Sequence, residues 1–360
     1  MEDAALARTR DRPVRLNASP VSQDAYTRAG VSQSDADSAV AALVSHLSRI
    51  ETGKPSRNVP LPGHYASVLR IDDRTGIAFG TDGVGTKMVV AEKLGRYDTI
   101  GIDCIAMNVN DLVCVGAEPV ALLDFILCRT ADPEVCGQIG EGLRRGAELA
   151  GIEIPGGEIA QVGDVVEGIE LAGSAIGLVA LDVIVDGSTV RAGDAIIGLP
   201  STGLHSNGYT LARKVLDGLP LDRDPDGRLG RPLGDVLLEP TEIYVETILE
   251  LLAVPDIAVN GLAHITGDGL NNLLRLGDTS EIGYAIEAPL PVPPIFDLIA
   301  DRGEVDDEEM HEVFNMGCGF CVIVPEPDAE AAIGLLSGSY PGAARIGTVT
   351  DRAGVVERSS

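Results

Sequence analysis

Apolar residues at Val40, Leu43, Val44, Leu47 and Ile50 recur at three- and four-residue spacing behind a Ser- and Asp-rich start. That period predicts an amphipathic helix from Ser34 to Glu51. Short apolar runs then predict strands from Ala66 to Ile71 and from Gly76 to Gly80. A glycine-rich turn, Gly80-Thr-Asp-Gly-Val-Gly-Thr-Lys87, leads into a helical pattern that reaches Leu94. A second helix is predicted from Thr99 to Val115, stopped by Gly116 and Pro119. Ala121 to Cys128 reads as a buried strand, and Asp132-Pro133-Glu134 is a helix start with its cap, its first-turn proline and an acid near the positive helix end. Gly151 closes that helix, and strands at Ile152 to Ile154 and Leu171 to Leu181 follow. After the turn Asp186-Gly187-Ser188 a second series begins: a strand at Ala195 to Leu199, a helix at Tyr209 to Leu216, a strand at Ile257 to Ala263 and helices at Leu270 to Leu276, Ile295 to Ala300 and Ala329 to Leu336. The class is α/β or α+β in two domains, expected at 21–185 and 186–360 behind a polar tail over 1–20.

Charge narrows the functions open to such a chain. Its 360 residues carry a formal net charge of −28. Binding to a phosphate backbone or an anionic membrane needs a basic face, so nucleic acid and lipid surfaces are excluded as partners. Lysine occurs only at Lys54, Lys87, Lys93 and Lys214. A lysine-poor acidic surface suits concentrated salt, where screening removes self-repulsion, so a halophilic source is expected. No apolar run reaches about 18 residues and Met1 to Asn17 is dense in charge, which points to a cytoplasmic protein. The six cysteines show no disulfide framework, and Cys318-Gly-Phe-Cys321 runs on into a strand-like segment with no second ligand pair after it.

Chemistry concentrates in a few segments. The order Gly85-Thr86-Lys87 is not that of a P-loop, in which Gly-Lys precedes Ser or Thr. Glycines at Gly83 and Gly85 could still let backbone amides crowd an anion ahead of a helix. Asp82 would repel phosphate unless a cation lay between them, so a magnesium-mediated site and a tight turn with a solvated Asp are equally open. On the next helix Asn108 and Asp111 share a polar stripe beside a broad apolar face, and a cation shared with Asp82 would offset the cost of burying Asp111. The Ser201 to Asn207 loop, with His205, Ser206 and Asn207, reads as a helix cap or a ligand loop. His264 and Thr266 stand at another strand-to-loop junction.

These segments together resemble the aminoimidazole ribonucleotide synthetase family. The match runs through Gly80-Thr-Asp-Gly-Val-Gly-Thr-Lys87, Asp98-Thr-Ile-Gly-Ile-Asp103, Asn110-Asp111, Gly116-Ala-Glu-Pro119, Gly156-Gly-Glu158, Ser201-Thr-Gly-Leu-His-Ser-Asn-Gly-Tyr209, His264-Ile-Thr-Gly267 and Phe314-Asn-Met-Gly317. The resemblance implies a two-domain fold of α/β plus α+β character whose N-terminal sheet pairs across a homodimer. It implies an ATP-dependent ligase that closes the imidazole ring of formylglycinamidine ribonucleotide, with magnesium. On it, Asp82 and Asp111 hold the metal, Gly83, Gly85, Thr86 and Lys87 face the ATP phosphates, and Glu158 adds a polar group on the nucleotide side. Lys87 and His205 are the expected catalytic groups, and Ser206, Asn207, His264 and Thr266 face the substrate. The chain departs from the pattern at Thr27, at Asn58 to Tyr65 and at Asp268. A thiamine-monophosphate kinase of the same fold and a catalytically silent nucleotide-binding scaffold are the competing readings.

Overall fold

The computed structural model describes residues 33–359. The expected 1–20 tail and the departure at Thr27 lie outside the described residues. The chain runs α1 (Gln33–Leu47), β1 (Asn58–Val59), β2 (Ser67–Arg70), β3 (Thr75–Gly83), a 3-10 turn (Gly85–Lys87), α2 (Met88–Leu94), α3 (Ile100–Val113), β4 (Glu118–Cys128), α4 (Pro133–Ala150), β5 (Glu153–Gln161) and β6 (Ile169–Ala180). It continues through β7 (Ala195–Pro200), α5 (Tyr209–Val215), α6 (Leu233–Leu237), α7 (Val245–Leu252), β8 (Gly261–His264), a 3-10 segment (Gly269–Arg275), β9 (Gly283–Ile286), α8 (Pro294–Gly303), α9 (Asp307–Val313), β10 (Cys318–Val324), α10 (Ala329–Ser339), β11 (Ala344–Thr350) and β12 (Val356–Arg358). Among the described residues no helix is long and apolar enough to cross a membrane.

Two six-stranded sheets organise these elements. The first has the order β1-β2-β3-β6-β4-β5 and the second β12-β9-β11-β7-β10-β8. Only the β4–β5 and β9–β12 pairs are parallel, so both halves are α+β, with helices gathered against mainly antiparallel sheets. In the first sheet Val68, Ala78, Leu122, Ile126, Leu171 and Ala175 point inward under α3 and α4. The opposite face stays open and apolar, with Phe79, Leu123, Phe125, Ile176 and Leu178 exposed. A cavity of about 700 Å³ lies on this face against Tyr65, Phe79 and Ile176. The helix expected from Ser34 forms as α1, yet Val40, Leu43, Val44 and Leu47 are exposed as well.

Helix α3 is the axis of the N-terminal half. Every one of its residues is buried except Asp111. Glycines let α4 approach it closely: a β-carbon at Gly101 would lie 2.5 Å from the Gly142 carbonyl carbon and 2.7 Å from the Ile139 oxygen. Helix α3 meets the sheet in the same way at Gly173, where an added β-carbon would lie 3.0 Å from Asn108 Nδ2 and 3.1 Å from Cys104 Sγ. The α4 start is capped as its sequence predicts, with Asp132 accepting from the Glu134 amide at 2.8 Å and Gly151 ending the helix at φ +67°.

Several boundaries differ from the sequence expectation. β3 runs on through Asp82 to Gly83, because its ladder to β6 continues to Gly83 opposite Ala172. Asp82 is therefore a strand residue, not a loop residue. β5 extends to Gln161 through Pro155, Gly156 and Gly157, residues a sheet tolerates at its edge, where β5 lies. The helix expected at Leu270 to Leu276 is 3-10, and the strand expected from Ile257 shrinks to Gly261–His264.

Candidate active site

The carboxyl end of β3, the polar edge of α3 and two loops of the second sheet converge on one cleft. β3 delivers Asp82, and α3 delivers Asp111 as its one unburied residue. Asn108 ties the two elements together, donating to the Asp82 carbonyl at 3.2 Å and to the Cys104 carbonyl at 2.8 Å. Burial lifts the Asp82 carboxyl above its ordinary pKa. The Gly83 amide, 2.7 Å from Oδ1, opposes that rise, and the nearby Asp111 charge adds to it. A carboxyl whose ionisation is disfavoured by a neighbouring acid is one that a cation would relieve. His264 Nδ1 lies 2.9 Å from Asp111 Oδ1 and leaves Oδ2 clear of that contact. Among the described residues no group of three or more His, Cys, Asp or Glu is placed to hold a metal ion.

The glycine loop is not an open anion cradle. Its amides are already taken: Gly83 by Asp82, Val84 by the Leu171 carbonyl at 2.9 Å and Gly85 by Glu170 Oε1 at 2.8 Å. Gly83 and Gly85, expected to face phosphate, here give their amides to protein acceptors. The left-handed φ of +67° at Gly85 serves instead to close the turn over Glu170. Glu170 is a third acid beside the pair, held above its ordinary pKa by burial and by Asp82. Sequence reasoning missed it, because it lies 85 residues from the amide it caps. It also missed Asp124, which shares a row with Asp82 across the sheet, both paired with Gly173. Glu158 stands exposed on edge strand β5, its Oε1 accepting from the Ile159 amide at 3.0 Å. Three strand spacings separate β5 from β3, roughly 14 Å, so Glu158 stands well apart from Asp82.

Lys87 and His205, the expected catalytic groups, are both buried and bonded to protein partners. Lys87 is fully buried and spends its three N–H bonds on Asp103, 2.8–2.9 Å away, on the His205 carbonyl at 3.1 Å and on the Glu239 carbonyl at 2.6 Å. It has none left for a phosphate. Burial lowers its pKa, and the Asp103 charge resists that fall. Thr86 points toward the second half, its hydroxyl 3.1 Å from that of Thr210. The His205 ring is buried, and desolvation, with His264 and Lys87 nearby, pushes its pKa well below the usual imidazole value. The Thr202 amide donates to Nε2 at 3.2 Å, so the neutral ring carries its proton on Nδ1. The ring is thus held within its own loop.

The remaining expected residues line the far wall. Ser206 Oγ is 3.0 Å from Thr241 Oγ1, and Asn207 Nδ2 reaches Met107 Sδ on α3 at 3.8 Å. Thr266 is turned inward, its amide and hydroxyl both held by Asn272 Oδ1 at 2.6 and 3.2 Å. His264 is buried against Asp111 and so acts on that carboxylate rather than on an open surface. Asn315 holds the loop from beneath, accepting from Ser201 Oγ at 2.9 Å and donating to the Gly203 carbonyl at 2.8 Å.

Comparison with known proteins now decides the family. Residues 63–179 match the model for the N-terminal domain of AIR synthase related proteins, and residues 191–359 match the model for their C-terminal domain. The phosphoribosylformylglycinamidine cyclo-ligase of Methanothermobacter thermautotrophicus is 46% identical over 338 residues, covering 92% of this chain and 96% of that relative. The chain belongs to the phosphoribosylformylglycinamidine cyclo-ligase family. The cyclo-ligase of Pyrococcus furiosus is 48% identical over 297 residues, covering 82% of this chain and 85% of its own length. Among solved structures, a HypE–HypF complex matches with a TM-score of 0.60 at 20% identity, covering 82% of this chain and 90% of the other. The Aquifex aeolicus thiamine monophosphate kinase matches at 0.58 and 17%, covering 79% and 88%. These structural likenesses carry the fold alone, while the cyclo-ligase family rests on the sequence identity.

Proposed function

We propose that the chain catalyses the ATP-dependent cyclisation of formylglycinamidine ribonucleotide to aminoimidazole ribonucleotide, releasing ADP and phosphate. The observation that carries this reading is identity of 46% to a cyclo-ligase along nearly the whole of both chains. An amide oxygen is a poor leaving group. Phosphorylation of the formyl oxygen lets it depart as phosphate once the amidine-side nitrogen has attacked the activated carbon. Positioning and charge neutralisation supply most of such a rate. Magnesium, held by Asp82 and Asp111, neutralises phosphoryl charge when bound. His264 orients Asp111, Glu170 fixes the turn behind Asp82, and the Ser206–Asn207 loop receives the substrate. Asp124 lies in the same row of the sheet as Asp82, where the distant end of the nucleotide can reach it, whereas Glu158, paired with Phe125, faces the opposite side.

The protein acts as a homodimer in this reading. What supports it is the open apolar face around Leu123, Phe125 and Ile176, which a second copy of the same sheet would cover. The acidic, lysine-poor composition supports function in concentrated salt. A coupled assay of ADP release, run at molar salt with formylglycinamidine ribonucleotide and separately with thiamine monophosphate, tests the activity. Release with the first alone is expected. Release with the second alone, or ATP binding with no release for either, would assign the kinase or the scaffold instead.

A further inference from the structure

The junction between the two halves is polar at its centre. Asp103, on α3, is fully buried and accepts from the Thr241 amide and the Thr241 hydroxyl, each at 2.7 Å. Lys87 pairs with this carboxylate at 2.8–2.9 Å and binds the carbonyls of His205 and Glu239. These acceptors lie 118 and 152 residues from Lys87 and belong to the second half. The Thr241 hydroxyl is shared with Ser206 in the expected substrate loop. Tyr209 packs its ring 5.7 Å from the Lys87 ammonium and donates to the Leu237 carbonyl at 2.6 Å. The nucleotide-side turn thus ends in a side chain that ties Asp103 on α3 to the substrate loop at His205 and to the Glu239 segment.

Backbone geometry gives this contact a purpose. His205 holds φ at +60°, a conformation that non-glycine residues keep only when their surroundings impose it. The carbonyl of that same residue is the one Lys87 draws in. An unpaired ammonium or carboxylate at this depth would be costly, so the pair has one stable arrangement, in which both loops are in place. We propose that the Lys87–Asp103 ion pair is a positioning device that sets the His205–Asn207 loop and Thr241 in register with Asp82 and Asp111. In naming these loops as the two sides of one reaction, the proposal rests on the cyclo-ligase reading.

The test compares the full-length protein with Lys87→Met/Asp103→Asn, which removes both charges and leaves none orphaned, and with Thr241→Val, which deletes one hydroxyl. Hydrogen exchange over 201–208 and 238–242 is expected to quicken at least tenfold in the double variant and about threefold in Thr241→Val, with β3 unchanged. Magnesium-ATP affinity, measured by calorimetry without substrate, should stay within threefold of wild type. The KM for formylglycinamidine ribonucleotide should rise about tenfold, more than kcat falls. A tenfold loss of magnesium-ATP affinity with unchanged loop exchange would make Lys87 a phosphate ligand and overturn the proposal. So would wild-type loop exchange and an unchanged KM in both variants. Should the double variant fail to fold, Thr241→Val carries the same decision. Should the wild type not turn over that substrate, the cyclo-ligase reading fails, while exchange and ATP affinity still decide the role of the pair.

Discussion

Replacing Gly101 by alanine should damage the protein even though alanine is the better helix former. The new β-carbon would lie 2.5 Å from the Gly142 carbonyl carbon and 2.7 Å from the Ile139 oxygen, with the Leu143 nitrogen closer still. Ordinary contact begins near 3.4 Å. All three neighbours are α4 backbone, so no rotamer change relieves the clash and the helices must part by about 1 Å. Overpacking costs about 1–3 kcal/mol, and a backbone obstacle belongs at the upper end. The helix propensity of alanine over glycine returns about 1 kcal/mol. A net loss of about 2 kcal/mol lowers Tm by roughly 3 °C in a chain of this size. Gly140→Ala, on the same α4 but with nothing within 4 Å of its added β-carbon, should gain about 0.5–1 kcal/mol. Because α3 also carries Asp103, Asn108 and Asp111, Gly101→Ala should lose activity beyond its loss of folded protein. Thermal melts and turnover of both variants check this. A Gly101→Ala protein melting at or above wild type would refute the close-packing argument.

Asp82→Asn and Asp111→Asn should each lower turnover about a hundredfold, the scale of one lost charge contact in a transition state, and the double variant should fall little further. Magnesium titrations of all three check this, and losses that multiply would break the shared-cation account. His64 is desolvated to a pKa of about 4 from 6.5, so it enters the fold neutral, and the unfolded chain binds its proton more readily. Its contribution is complete above pH 6.5 and is lost as pH falls toward 4, on the order of 2–3 kcal/mol. Melts of His64→Gln should show a shallower fall across that window, and an unaltered slope would contradict the assignment. Leu123→Glu/Phe125→Glu should leave a monomer by sedimentation where the wild type sediments as a dimer; a wild type that stays monomeric at tens of micromolar would remove the sheet interface.

Local signals in the sequence were enough for elements whose limits are chemical. Asp132, Pro133 and Gly151 bound α4 where expected, because a cap, a first-turn proline and a left-handed glycine act within a few residues. The apolar run of α3 was equally legible, and its lone unburied residue is the one singled out as costly, Asp111. β5 was cut short at Ile154, since Pro155, Gly156 and Gly157 read as a turn unless the edge position is known. The site was harder, because its partners are distant in sequence. Asp103 meets Thr241 across 138 residues, and Glu170 caps an amide across 85. Nothing near Lys87 distinguishes a lysine facing phosphate from one buried on a carboxylate; only the packed partner does. The acceptors of the Val84 and Gly85 amides were hidden for the same reason, as they arrive from β6.

The central claim is that the formyl oxygen leaves as phosphate during ring closure, and isotope transfer measures it directly. Formylglycinamidine ribonucleotide labelled with ¹⁸O in the formyl group would be turned over with ATP and magnesium at molar salt, and the released phosphate analysed by mass spectrometry. The account predicts one ¹⁸O atom in each inorganic phosphate formed, with aminoimidazole ribonucleotide and ADP in equal amounts. Unlabelled phosphate, with the label released to water, would contradict it.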